Sequence, residues 1–359
     1  MDIDITLGSR LVEDARLAEI LANPGFGAHF TDHMFTVQWT ASDGWHGARI
    51  TPYQPLTLDP AAAVFHYAQE VFEGLKAYRH PDGSIWSFRP EENGRRMVRS
   101  SERLALPAVG VEDFVQAVDT LVDVDHRWVP DPGENGEKSL YIRPFMFASE
   151  RCLDVRPARQ VTFMVITSPV GTYFRGGIKP VTLWLTEHYT RAGRGGTGAA
   201  KTGGNYASSL VAQQEAMAEG CDQAVFLDAQ EGRYVEELGG MNIYFVFDDG
   251  SIATPEAGTI LPGVTRSSVI ELAGKLGHPV TERKVSIDEW REGVTAGRIT
   301  EIFACGTAAV ITPVGSLKWK GGALPAPAGS DLTMRIRRAL VDVQFGRAAD
   351  SFGWLHRIR

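Results

Sequence analysis

Apolar residues recur along the chain at two spacings, and the spacing assigns the elements. Asp59-Pro60 reads as an N-cap followed by a first helical residue. It opens a predicted helix on which Val64, Ala68, Val71 and Leu75 fall on one face. The runs 76–78 and Ile85–Phe88 flank Pro81-Asp82-Gly83 and read as a hairpin. Helices are predicted near 90–105 and 112–127, followed by a loop over 131–138, DPGENGEK. Strand-like runs cover 140–148 and 160–167, and GTYFRGG at 171–177 reads as a connector.

The same pattern continues beyond it. A strand at 181–186 leads to a glycine-rich loop at 193–204 and a helix over about 206–219. A strand at 224–228, a hairpin-like pair within 233–247 and a helix near 265–276 follow. Strands at 300–304 and 309–312 flank Cys305-Gly306-Thr307-Ala308. The last helix, near 331–345, carries Leu332, Ile336, Leu340 and Val343 on one face. The expected division is a first domain over 1–170, a connector over 171–180 and a second domain over 181–359. Strands and helices mix in both halves, so the class is α/β or α+β, and periodicity does not choose between them.

Composition narrows the function. The 359 residues hold 36 Lys and Arg against 44 Asp and Glu, a net charge of −8. That balance argues against a sequence-independent nucleic-acid binder. No apolar run approaches the roughly 20 residues that span a bilayer. The start, Met1-Asp2-Ile3-Asp4, is acidic where a secretory signal is basic, so a cytoplasmic protein is expected. Cys152, Cys221 and Cys305 are too widely spaced for a CxxC site, and the histidines show no metal-ligand spacing, so no metal is expected. Glycine is in surplus: 38 residues, about one in nine against a usual share of roughly 7%.

Four constellations can carry chemistry. The first is Gly193 to Tyr206, in which six glycines within 193–204 surround Lys201. A phosphate-binding P-loop needs glycine directly before the lysine, and Ala200 stands there. Two readings stay open: a flexible loop with a solvated lysine, or a lysine held in a pocket to condense with a carbonyl compound such as pyridoxal phosphate. The second is Glu236-Glu237 on a strand, where neighbouring carboxylates point to opposite faces. One can face a pocket, where it needs a cationic partner such as a protonated pyridine nitrogen, while the other faces water. Two solvated glutamates are the alternative. The third is a set of anion holders: Leu261 to Ser268 at a helix start, the turn 305–308, and Arg96 in a helix with Arg95 and Arg99. Ordinary capping, a plain hairpin and solvated arginines describe them equally well. The fourth is Tyr141 and Arg143, which share a strand face and suit a carboxylate or a cation–aromatic pair.

Together these segments resemble the branched-chain amino acid aminotransferases, class IV aminotransferases of the fold type IV pyridoxal-phosphate enzymes. The resemblance runs nearly end to end. It rests on HYAQEVFEGLKAYR (66–79), LYIRPF (140–145), GTYFRGG (171–177), AKTGGNYASS (200–209), EELGGMNI (236–243), LPGVTR (261–266) and FACGTAAVITPV (303–314). It implies a two-domain α/β (mixed α+β) architecture with a small N-terminal and a larger C-terminal domain. It also implies pyridoxal 5'-phosphate as cofactor, amino acids and 2-oxo acids as small-molecule partners, and a homodimer. The implied reaction is reversible transamination between leucine, isoleucine or valine and 2-oxoglutarate. The nearest alternative is a D-amino acid aminotransferase or another class IV enzyme.

The resemblance also implies roles. Lys201 matches the lysine that binds the cofactor covalently and shuttles protons. Tyr206 matches the tyrosine at the cofactor's phenolic oxygen, and Glu237 rather than Glu236 the carboxylate at the ring nitrogen. Arg96, Val264, Thr265 and Thr307 match the phosphate holders. Thr307 and Ala308 match the turn that receives the substrate α-carboxylate. Phe30, Tyr67, Phe72, Tyr141, Tyr173 and Gly240 match the side-chain pocket, and Arg143 the residue that accepts the γ-carboxylate of glutamate. Leu153 and Val155 match a loop inserted into the neighbouring subunit's site. Two departures stand out: Ala309 and Thr312 replace the CxxC of vertebrate relatives, and Gly240 replaces the Thr or Ala of many relatives.

Overall fold

The computed structural model describes residues 1–171 and 178–359. It divides into two compact units: Met1–Tyr173 with Ala200–Gly203 and Asp342–Arg359, and Phe174–Ala199 with Gly204–Val341. Each is a mixed α and β unit around one nine-stranded sheet. The sequence-based division differs from these units in two places, because it put everything after 181 in one domain. Leu355–Arg357 pairs antiparallel with Ile85–Phe88, and Ala200–Gly203 is tied to the first unit by backbone hydrogen bonds. Neither pairing has a local signature. Most of the expected connector, 171–180, lies outside the described residues.

In the first unit the strand order is Asp4–Ile5, Gly44–Pro52, His33–Thr40, Gln160–Val170, Ser139–Ala148, Leu75–Arg79, Ile85–Phe88 and Leu355–Arg357. Glu70–Phe72 also pairs with Ser139–Ala148. The expected hairpin around Gly83 is present, with Ala77 opposite Ser87. The helices Pro90–Arg103 and Val111–Val124 also form. Phe114, Val118 and Leu121 turn their helix's apolar face inward, and Phe114 meets Phe163 at 6.2 Å.

The helix predicted from Asp59 is largely wrong. Only Ala63–Tyr67 is helical, and Ala68 ends it in the left-handed region at φ 48°. Val71 and Leu75 then lie in two strands. Alternation within short strands imitated a helical stripe, and the cross-strand partners at 139–148 decided the outcome.

In the second unit the order is Val235–Leu238, Gln223–Leu227, Val181–Leu185, Val310–Trp319, Ile299–Gly306, Asn242–Phe247, Ile252–Thr254 and Val280–Glu282, with Gly322–Pro325 beside Val310–Trp319. The pair expected within 233–247 is therefore not a hairpin ladder. Val235–Leu238 pairs with Gln223–Leu227, and Asn242–Phe247 with Ile299–Gly306. The helix expected over 206–219 is two pieces, Gly203–Ala207 and Leu210–Ala218. Helix Ile287–Thr295 starts on Ser286, whose hydroxyl accepts the Glu289 N–H, and packs Trp290 on Phe245 at 5.1 Å. Helix Asp331–Gln344 has the buried carboxylate of Glu301 at its N-terminus, accepting from the N–H groups of Leu332 and Thr333 and the Thr333 hydroxyl. Backbone donors left over at a helix start and the positive end of its dipole both favour that anion.

Gly198 shows why the 193–204 loop is rich in glycine. A Cβ there would stand 2.0 Å from the Thr259 carbonyl oxygen and 2.5 Å from the Ala192 Cβ. At Gly240 an added Cβ meets nothing within 4 Å. Thermal unfolding should therefore show Gly198→Ala destabilised by about 1–3 kcal/mol through overpacking. Gly240→Ala should stay within about 0.5 kcal/mol of the parent.

Candidate active site

In the first unit, Lys201 is fixed through its backbone. Its carbonyl accepts the Phe72 N–H at 2.9 Å, and its N–H donates to the Ser100 hydroxyl at 2.9 Å. Phe72 belongs to a strand and Ser100 to helix Pro90–Arg103, so two rigid elements hold one residue. The Glu70 carboxylate then accepts from the Gly203 N–H and, at 3.3 Å, from the Thr202 hydroxyl. Burial raises the Glu70 pKa, against the pull of those two donors and of the Arg143 charge.

The Lys201 side chain is half-buried, with its amine 4.6 Å from the Phe72 ring centre. Burial and then the Arg96 charge push its pKa down to about 8, while the Glu73 charge holds it up. Its amine therefore spends much of its time neutral near pH 8, as a nucleophile or proton acceptor requires.

Arg96 is the one arginine of its helix segment that turns inward; Arg95 and Arg99 are exposed. Its Nε and one terminal nitrogen donate to the two oxygens of Glu73, each at 2.7 Å. Glu73 is fully buried and also accepts from Asn93 at 2.8 Å. Burial pushes its carboxyl up, but Arg96, the Lys201 charge and Asn93 together hold it below the ordinary carboxylate range.

Tyr141 and Arg143 do share a face: an Arg143 N–H donates to the Tyr141 hydroxyl at 3.1 Å. The guanidinium carbon lies 4.9 Å from the Phe72 ring centre and 5.3 Å from that of Tyr141. The Arg143 Nε is buried without a hydrogen-bond partner. Gly74 leaves room for this arrangement, since a Cβ there would fall 2.1 Å from the Tyr141 hydroxyl. Phe30 stacks on Tyr53 at 5.2 Å, and the Tyr67 hydroxyl donates to the Leu153 carbonyl. Leu153 and Val155 are 61% and 86% exposed. Tyr173 lies outside the described residues.

In the second unit, Glu237 is buried and paired with Arg191 at 2.8 Å. It also accepts the Leu261 N–H at 3.0 Å, and the Asn242 amide lies 3.4 Å away. Glu236 does not face water: it is 6% exposed and accepts the Thr259 hydroxyl. Its partner Thr259 lies 23 residues further along the chain, which strand alternation could not reveal. Val264 and Thr265 open helix Val264–Lys275 behind Gly263, with no side-chain cap. Tyr206 is half-buried in the short helix Gly203–Ala207. Thr307 and Ala308 are half-buried in the turn between Ile299–Gly306 and Val310–Trp319, and Gly240 is exposed. Among the described residues no group of three His, Cys, Asp or Glu could hold a metal ion.

Sequence reasoning missed Glu73, Glu70, Ser100 and Arg191. A charged residue inside the apolar run Val71-Phe72-Glu73 was a usable signal for the first. Arg191 carries none.

A lysine drawn toward its neutral form beside a buried arginine, and a buried carboxylate in the other unit, are the parts that group-transfer chemistry uses. Residues 70–317 match the family model for amino-transferase class IV, and the chain belongs to that family. It is 53% identical to a probable branched-chain-amino-acid aminotransferase of Streptomyces coelicolor, over 99% of this chain and 98% of that one. It is 51% identical to a branched-chain-amino-acid aminotransferase of Mycolicibacterium smegmatis, over 100% and 98%. Among solved structures it is similar to the branched-chain amino acid aminotransferase from Thermobaculum terrenum in its PLP-form. There the TM-score is 0.71 and the identity 28%, over 90% of this chain and 98% of that one.

In cofactor-free protein, reductive methylation of Lys201, followed by peptide mass spectrometry, should rise with pH through about 8. An unperturbed lysine would rise near 10.4. Glu73→Gln removes the charge that holds this pKa up, so the midpoint should fall further. An unchanged midpoint would remove Glu73 from control of the amine.

Proposed function

We propose that this chain catalyses reversible amino transfer between branched-chain L-amino acids and 2-oxoglutarate, with pyridoxal 5'-phosphate as cofactor, and works as a homodimer. The observation that carries the reading is the Lys201 amine, anchored through its backbone and lowered to a pKa of about 8. The named relatives supply the substrate class.

The residues fit the cofactor. The neutral amine of Lys201 suits a carbonyl, and the buried, charged guanidinium of Arg96 suits a phosphate. The uncapped helix start at Val264-Thr265 suits an anion, joined by the Thr307 hydroxyl. Glu237, held by Arg191 and the Leu261 N–H, suits a protonated ring nitrogen, and Tyr206 the phenolic oxygen. When bound, pyridoxal phosphate supplies a carbonyl that condenses with amines and a ring that accepts the electron pair released at the substrate Cα.

The chain's own groups do the rest. Lys201 Nζ would take the substrate Cα proton and later give it back. Glu237 would keep the ring nitrogen of the bound cofactor protonated. The turn at Thr307 and Ala308 receives the α-carboxylate through backbone N–H groups. Phe30, Tyr67, Phe72 and Tyr141 in the first unit offer aromatic surface for an aliphatic side chain, and the family resemblance gives Tyr173 and Gly240 the same role. Arg143, whose Nε has no partner, receives the γ-carboxylate of glutamate by a charge-assisted bond. Leu153 and Val155, exposed in the single chain, meet the second subunit.

Lys201→Ala should abolish transamination; retained turnover would sink the reading. Arg143→Met should raise KM for 2-oxoglutarate about ten- to a hundredfold, the equivalent of roughly 1.5–3 kcal/mol, and leave leucine nearly unchanged. Equal losses on both substrates would remove that role. The yellow holoenzyme should bleach with L-leucine and not with D-alanine; the reverse would favour a D-amino acid aminotransferase. Sedimentation should give twice the chain mass of 39.3 kDa.

A further inference from the structure

Strand Glu70–Phe72 pairs antiparallel with Ser139–Ala148, with Glu70 opposite Phe147 and Phe72 opposite Phe145. Residues two apart on a strand share a face, as do residues directly opposite across a ladder. Glu70, Phe72, Tyr141, Arg143 and Phe145 therefore stand on one face of the first unit's sheet. All five are half-buried, whereas Val71, Ile142 and Met146, on the other face, are buried in full.

Three ionisable groups meet around Phe72 on that half-buried face. The Arg143 guanidinium carbon lies 4.9 Å from the Phe72 ring centre and the Lys201 amine 4.6 Å from it. Glu70 brings the opposite sign. Its Oε1 accepts from Thr202 and Gly203, the two residues that follow Lys201. Burial raises the Glu70 pKa, while the Gly203 and Thr202 bonds and then the Arg143 charge lower it. A pocket that takes either a carboxylate or an aliphatic side chain needs such a group. An apolar ligand strips water from a guanidinium and offers nothing in return, so a counter-charge is required while it is bound. When the γ-carboxylate of glutamate is bound instead, the same counter-charge is a like charge close by and opposes it.

We propose that Glu70 is a specificity-determining residue: its negative charge on the face it shares with Arg143 tempers the pull on a second carboxylate and lets the same pocket accept an aliphatic side chain. This inference rests on the reaction proposed above and on the γ-carboxylate role given there to Arg143.

The test compares two amino donors on one form of the enzyme. Holoenzyme is mixed with L-glutamate or L-leucine, and the bleaching of the cofactor band gives kcat/KM for each half-reaction. Glu70→Gln removes the charge and keeps an acceptor oxygen for Gly203 and Thr202. The glutamate-to-leucine ratio of kcat/KM should rise about three- to tenfold. A displaced Lys201 slows both donors alike and cancels in the ratio, so a merely structural role leaves the ratio where it was. Calorimetric titration gives a readout without turnover: glutarate should bind the variant about three- to tenfold more tightly, and 4-methylpentanoate should not. If Glu70→Gln does not fold, Glu70→Ala must show the same rise in ratio, with lower rates on both donors. An unchanged or lower ratio, or unchanged glutarate affinity, overturns the role of Glu70 and leaves the reaction standing. A parent holoenzyme that bleaches with neither donor sinks the reaction, and this inference with it.

Discussion

The buried fork between Arg96 and Glu73 is the contact on which the first unit's chemistry turns. Two charges are taken out of water together, which is tolerable only because the geometry is bidentate and Asn93 satisfies a further lone pair. The pair then acts on Lys201 with opposite signs. Arg96 favours the neutral amine and Glu73 the charged one, so the amine sits at a balance rather than at an extreme. Loss of either partner would leave an uncompensated charge beside the lysine. Stability and reactivity thus draw on the same two side chains.

The second unit repeats the device in another form. Arg191 and Glu237 are both buried and paired at 2.8 Å. Here the carboxylate is also held by the backbone at Leu261, and the Asn242 amide bonds the Leu261 carbonyl at 3.2 Å. The chain between 255 and 263 is therefore stitched to the strand that carries both glutamates. Glu236, its neighbour, takes the Thr259 hydroxyl from the same segment. One short stretch of loop serves two adjacent carboxylates that point opposite ways.

Much of this was legible in the residues, and the gaps have physical causes. Helices Val111–Val124 and Asp331–Gln344 announced themselves because each buries one apolar stripe, whereas Pro90–Arg103 buries Asn93, Arg96, Met97, Ser100 and Ser101. The turn at Gly83 and the shared face of Tyr141 and Arg143 followed from glycine conformation and strand period. The helix projected from Asp59 failed because short strands in a mixed run can mimic a 3.6-residue stripe. The burial of Glu236 and the pairing of Arg191 with Glu237 were illegible for a different reason. Both depend on chain tens of residues away, and local pattern carries no record of it. Lys201 was visible as a candidate, but its pKa is set by burial and then by Arg96, which lower it, against Glu73, which raises it, and both charges lie more than a hundred residues earlier.

The two backbone bonds on Lys201 have a mechanical meaning. Its carbonyl is tied to Phe72, its N–H to Ser100, and the next two residues to Glu70. The Cα is thus a fixed pivot, and all reach must come from the four-carbon stem. The amine can swing only over the cap of a small sphere about that pivot. A tethered base of this kind carries a proton between two nearby atoms by turning side-chain torsions alone. Such turns take picoseconds to nanoseconds when unhindered, far faster than loop motion. The lysine therefore needs no hinge from the glycines around it; residues 201–203 are held by their own bonds, and the amine moves on the short arm of the side chain.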